Sequence, residues 1–234
     1  MIGAHPCSVK NQVLGNPALF VFRATLQTRR TAIADMKKLV LASTSPYRAA
    51  LLRRLGLPFV QFNPSIDETP GSGETGEHLV KRLSHAKAMA AQRSYPDAII
   101  IGSDQAGVLG NALLNKPSTR AAARAQLRAS SGRDAMFLTG LCVLDAATGE
   151  NLLSVDVCRV LFRELDDAEI EDYIERENPL DCAGSFKVEG LGIALFRSVV
   201  MEDPTTLEGL PLIRLTSALR HFGLPVLGVR AGPN

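Results

Sequence analysis

The chain has 234 residues, 46% of them hydrophobic, with 26 Lys and Arg against 24 Asp and Glu. This length and apolar share suit a single core-bearing domain, and no apolar run approaches the ~18 residues of a membrane span. Four basic residues (Lys10, Arg23, Arg29, Arg30) and one acidic residue (Asp35) precede Met36, leaving 22 basic against 23 acidic side chains in the body. A near-neutral body speaks against nucleic acid as a partner and makes any cationic chemistry local.

Residues 1–35 carry scattered Pro and Gly, little acid and no sustained period. They read as a disordered extension or a start placed too far upstream; a targeting segment is the other reading of an acid-poor, Arg-bearing stretch. The folded domain is expected over 36–229. Its first element is a buried strand, "KLVLAS", followed by the helix "PYRAALLRRLG" with Pro46 in the first turn and Gly56 just past the end. A short strand "PFVQF" leads to a carboxylate-bearing loop over 63–76. From Glu77 to about Tyr95 the period is helical, with Leu79, Leu83, Ala86 and Ala90 on one face and Lys87 at its border.

"DAIIIGSDQ" is a second buried strand, read as ending at Gly102-Ser103-Asp104, and "GVLGNALLN" is a hairpin turning at Gly110-Asn111. "STRAAARAQLRASSG" is a helix with Ser118 as N-cap and Gly132 as stop. Residues 135–145 and 151–165 form a large antiparallel hairpin. "DDAEIEDYIERE" is an acidic helix, "AGSFKVEGLG" a Gly-spaced loop, and "LPLIRLTSALRHFG" a final helix. The sum is α/β: a mixed central sheet flanked by helices. Cys7, Cys142, Cys158 and Cys182 form no C-x-x-C pair, which argues against zinc and for reduced, packed thiols in a cytosolic protein.

Two strands run into polar turns, at Ser43-Thr44-Ser45 and at Gly102-Ser103-Asp104, and ligands of open α/β sheets collect at such strand ends. The helix that follows Ser45 offers free N–H groups to an anion, and Arg48 in its first turn is poor for the helix alone but suited to a phosphate there. Taken singly, each candidate has a plainer reading. Ser45 could merely cap and Arg48 face solvent; Asp104 could bond loop backbone, and Glu68 could be solvated. Lys87 could snorkel and Lys116 could do the same. The chemical reading makes Asp104 a water-activating or Mg²⁺-holding carboxylate, with Glu68 sharing the cation and Lys87 and Lys116 meeting phosphate.

In order, "LASTSPYRAALL", "DETP", "RLSHAKA", "IIIGSDQ", "NKP", "LTGLCV" and "CAGSFKVEGLG" resemble the Maf family of nucleoside triphosphate pyrophosphatases from about Lys37 to Leu227. The resemblance implies an ITPase-like, two-lobed fold with a central cleft, often dimeric, cleaving a nucleotide between its α- and β-phosphates with Mg²⁺ or Mn²⁺. It also implies Asp104 as proton acceptor, Ser45 and Arg48 as phosphate contacts, and Glu68, Lys87 and Lys116 as active-site residues. Tyr47, Gln105 and Glu189 stand where pyrimidine-type members carry Arg, Thr and Gln, so the chain is similar to the branch acting on 7-methyl-GTP. The same chemistry on dTTP, UTP or another modified nucleotide, a non-catalytic regulator of septation, and an RNA-cap binding module are the alternatives. The expected setting is the cytoplasm, with a small nucleotide as ligand and neither nucleic acid nor membrane as partner.

Overall fold

The computed structural model describes residues 37–228, so the expectation for residues 1–35 lies outside them. Leu39–Leu41 (β1), Phe59–Gln61 (β2), Ile99–Leu109 (β3), Ala112–Leu114 (β4), Asp134–Asp145 (β5), Asn151–Phe162 (β6) and Phe196–Val200 (β7) make one sheet. Its order is β2-β1-β3-β5-β6-β7, with β4 also paired to β3. β1 is parallel to both β2 and β3, and every other described pairing is antiparallel. The described helices are Pro46–Arg53 (α1), Gly76–Gln92 (α2), Arg120–Ser130 (α3), Asp167–Glu177 (α4) and Leu212–His221 (α5). This is the mixed α/β architecture expected from the sequence.

The parallel part is set by two crossovers, α1 between β1 and β2 and the longer one through α2 between β2 and β3. β1 is three residues long, and the Ala42 N–H to Ile101 carbonyl bond (2.8 Å) is its last link to β3. β3 does not stop at Gly102-Ser103-Asp104 as expected. It runs on to Leu109 against β5, with Asp104 opposite Gly140. What ends at that point is the parallel neighbour, so Asp104 lies mid-strand yet beside the gap that β1 leaves.

α2 lies directly on β3 and β5. A Cβ on Gly102 would sit 2.1 Å from the Ser84 carbonyl oxygen, and one on Gly140 would sit 2.3 Å from that of Val80. Two bare backbone positions on neighbouring strands therefore let the helix backbone touch the sheet. The buried face of α2 is Leu79, Val80, Leu83, Ser84, Lys87, Ala88 and Ala91, one step round from the Ala86 and Ala90 face expected. Lys87 is thus inside the stripe rather than at its border, 5% exposed.

Local signals explain most element ends. Thr75 caps α2 by accepting the His78 N–H, and a reciprocal capping box of Asp166 and Glu169 starts α4. α3 is capped by Thr119 rather than Ser118, which instead takes a left-handed φ of 57° and donates its N–H to the Leu180 carbonyl. The segment expected as a Gly-spaced loop holds a short 3₁₀ turn, Ala183–Ser185. A second, Leu191–Leu195, leads into β7, a strand the sequence pattern does not announce. Phe137, Phe162, Phe186 and Phe196 meet edge to face under this end of the sheet.

Gly102→Ala is expected to cost about 3 kcal/mol, because the new methyl meets rigid backbone rather than a side chain that can turn away. For a domain of this size that is a fall in Tm of about 6–12 °C, readable by calorimetry.

Candidate active site

The site begins where β1 gives way to α1. The Ser45 N–H donates to Ser43 Oγ (3.1 Å), and the Arg48 N–H donates to Ser45 Oγ (3.3 Å). Pro46 opens the helix, whose first turn holds no acidic residue. Ser45 is therefore an N-cap as well as a cleft residue. Arg48 does not face solvent: its Nε donates to the Gly209 carbonyl (2.8 Å) and its Nη1 reaches Ser43 Oγ (3.5 Å). Burial lowers the proton affinity of its guanidinium, and Asp104 and Glu68 oppose that shift.

On the floor, Lys87 Nζ lies 2.6 Å from Asp104 Oδ1 and 2.8 Å from Glu68 Oε1. Lys87 and Asp104 are buried, whereas Glu68 reaches in from an exposed loop. Two carboxylates thus share one ammonium, which compensates a charge pair that would be costly alone in a buried setting. The Gly102 and Gly140 contacts carry this arrangement, since they bring α2 close enough for its lysine to span to β3.

A segment running from Asp203 to Pro211 forms another wall. The Gln105 side-chain NH₂ lies 3.0 Å from Thr139 Oγ1, 3.0 Å from the Thr206 carbonyl and 3.2 Å from that of Leu207. The Thr139 hydroxyl donates to the Thr206 carbonyl (2.9 Å), and Ser103 Oγ lies 3.0 Å from the Gly209 carbonyl. Asp203 closes the segment on itself by accepting from the Thr205 N–H and hydroxyl and from the Ile213 N–H. Gln105 therefore lines the cleft while its amide nitrogen is committed to this wall.

A second group of side chains gathers around Tyr47. Its hydroxyl is pushed up to about 12, first by burial and then by Cys182, Asp181 and Glu189, so the ring stays neutral. The Glu208 carboxyl is raised by burial, with Arg54 opposing and Glu189 adding to the shift.

Ser45, Tyr47, Arg48, Glu68, Lys87, Asp104, Gln105, Lys116 and Glu189 all line one cleft of about 770 Å³. Lys116 and Glu189 are exposed at it. Sequence reasoning passed over Asp181 and Glu208 and read Cys182 only as a packed thiol; all three line the same space. Glu208 sits in "EGLP" ahead of the last helix, and only the Gly that follows, at φ +97°, hinted at a special turn there.

A helix N-terminus, an arginine and two lysines around paired carboxylates define the class: an α/β protein whose cleft is charged and sized for a polyphosphate-bearing ligand. The Maf-like protein family profile matches residues 38–222, and the chain belongs to that family. It is 52% identical over 189 residues to the 7-methyl-GTP pyrophosphatase of Nitrosococcus oceani, covering 81% of this chain and 95% of that one. It is 50% identical over 191 residues to the enzyme of the same name from Pseudomonas aeruginosa, covering 82% and 100%. Among solved structures, the Staphylococcus aureus Ham1 protein is similar with a TM-score of 0.40 at 15% identity, over 55% of this chain and 73% of that one.

Lys87→Met leaves Asp104 and Glu68 facing each other without their shared cation. Removing one partner of a buried pair costs about 3 kcal/mol or more, so the midpoint of urea unfolding is expected to fall. Asp104→Asn added to Lys87→Met should recover part of the loss, because it removes the stranded charge.

Proposed function

We propose that this protein hydrolyses 7-methyl-GTP to 7-methyl-GMP and pyrophosphate. The observation that carries the reading is the Lys87 ammonium held by Asp104 and Glu68 in the same cleft as Tyr47 and Glu189. The names of relatives about half identical over most of the chain support it.

The base chemistry runs as follows. A guanine methylated at N7 carries positive charge, which a neutral aromatic face such as Tyr47 attracts by about 0.5–2 kcal/mol. Its N1–H and N2–H₂ donors form a pair that the Glu189 carboxylate can accept. A pyrimidine would leave that carboxylate desolvated and unpaired, a loss of about 1–3 kcal/mol.

In the phosphate chemistry, Arg48, Lys87 and Lys116 neutralise the triphosphate, and Ser45 and its helix end orient it. Asp104 takes a proton from water as the water oxygen bonds to the α-phosphorus. The bond from that phosphorus to the α–β bridging oxygen breaks, and pyrophosphate leaves.

Glu68 Oε1 and Asp104 Oδ1 converge on one point, now occupied by Lys87 Nζ. Two hard carboxylate oxygens of this kind would be the protein's share in holding a Mg²⁺ or Mn²⁺ ion. No group of three or more His, Cys, Asp and Glu able to hold a metal occurs among the described residues. The donor set therefore fits a divalent ion arriving with the nucleotide, which Glu68 and Asp104 would hold once Lys87 moves its ammonium from them to the phosphates, and does not fit an all-protein cage. Bound there, the ion would supply charge neutralisation to the phosphoryl oxygens.

No described helix is long and apolar enough to cross a membrane. The setting in this reading is the cytoplasmic nucleotide pool.

The test is kcat/KM for 7-methyl-GTP, GTP, dTTP and UTP in a pyrophosphate-release assay. The expected order puts 7-methyl-GTP first by about tenfold or more; a pyrimidine in first place overturns the reading. Glu189→Gln should erode that preference. Asp104→Asn should lower kcat by about 10²–10⁴ while the far-ultraviolet circular dichroism stays unchanged. EDTA should stop turnover and excess Mg²⁺ or Mn²⁺ should restore it.

A further inference from the structure

Glu189 rides on a turn with little structure of its own, and the hydrogen bonds that tie this turn to the fold come from outside the cleft; Asp181, at the cleft, adds only a 3.8 Å ion pair to Lys187. Within it, the N–H groups of Gly190 (3.2 Å) and Gly192 (3.0 Å) both donate to the Lys187 carbonyl. Three further bonds tie it to the C-terminal half of α4. The Lys187 N–H donates to the Tyr173 hydroxyl oxygen (3.0 Å), Lys187 Nζ donates to the Glu177 carbonyl (3.0 Å), and the Leu191 N–H donates to Glu177 Oε1 (2.9 Å). The anchors fall two residues before and two residues after Glu189, so both ends of its turn are gripped. A Cβ on Gly190 would lie 2.6 Å from Glu177 Oε2, which shows how tightly the carboxylate seats against the turn. Tyr173 is 4% exposed, and neither it nor Glu177 is among the residues lining the cleft.

We propose that Glu177 and Tyr173 are positioning residues for base recognition, fixing the 187–191 turn so that Glu189 meets the base edge in one geometry. The proposal rests on the reading of Glu189 as the base-reading carboxylate. Its physical content is specific. The Leu191 and Lys187 amides need acceptors; α4 supplies them from one carboxylate and one phenol. An exposed carboxylate on a turn without those anchors would sample several orientations, and a displacement of about 1 Å at such a group costs up to about 10² in efficiency. The helix that carries the anchors has its own capping box and buries Ile170, Tyr173 and Ile174, so it is a rigid base for the turn.

The experiment uses the full chain and its variants Glu177→Ala, Glu177→Gln and Tyr173→Phe. KM and kcat are measured for 7-methyl-GTP and GTP, together with hydrogen exchange at the Lys187 and Leu191 amides. Glu177→Ala is expected to raise KM for 7-methyl-GTP about tenfold, leave kcat nearly unchanged, and narrow the preference over GTP. The Leu191 amide should exchange faster. Glu177→Gln keeps an acceptor oxygen at the same reach and should restore the wild-type preference. Tyr173→Phe should act in the same direction through the Lys187 amide, and it decides the matter if Glu177→Ala does not fold.

An unchanged preference in the folded variants, or an equal fall on both nucleotides, overturns the proposal. A wild-type protein with no preference for 7-methyl-GTP overturns the substrate reading instead. The anchoring is then judged by amide exchange and by the nucleotide the protein does prefer, and unchanged exchange in both variants ends it.

Discussion

The contact on which the site depends is between backbones: α2 pressed against β3 and β5 at Gly102 and Gly140. A side chain at either place would lift the helix off the sheet. The span from helix to strand is what allows Lys87 Nζ to rest 2.6 Å from Asp104 and 2.8 Å from Glu68. The apolar packing of Leu79, Val80 and Leu83 against Ala106 and Leu138 stabilises the same approach. Core and chemistry therefore share one interface, and a buried ion pair can persist because its neighbours are held at short range on both sides.

The fold was legible wherever one signal dominated. Alternating and continuous apolar runs marked β1, β3 and the β5–β6 hairpin; Pro46 and Gly56 bracketed α1, and Gly110-Asn111 marked the turn from β3 to β4. Misreadings arose where two signals competed. Gly102-Ser103-Asp104 looks like a strand end because Gly and Asp disfavour strands. There the glycine serves helix packing and the carboxylate serves a lysine, and the long ladder to β5 overrides propensity. Lys87 looked like a border residue because a lysine inside an apolar stripe is rare without a partner, and both partners lie far away in sequence.

The nine nominated side chains do share a cleft, but the sequence could not show how their atoms are already engaged. Arg48 is the clearest instance. Nothing near "SPYR" reveals that its Nε is bound to the carbonyl of Gly209, 161 residues on. Gln105 is similar, since its amide nitrogen is turned to the carbonyls of Thr206 and Leu207. Bonds from side chains to distant main-chain oxygens leave no local pattern, and β7 was missed for a related reason: it pairs only with the last few residues of β6.

The side chains of Asp203 and Thr205 fold the start of the 203–211 wall, but Arg48, Ser103, Gln105 and Thr139 grip its cleft-facing stretch through carbonyl oxygens, at Thr206, Leu207 and Gly209. Every amino acid has such an oxygen, so these bonds are indifferent to the side chain carried at position 208. Glu208 stands between two gripped positions and projects into the ligand space. It occupies a place where natural variation can alter what the enclosure accepts while the scaffold beneath keeps its shape.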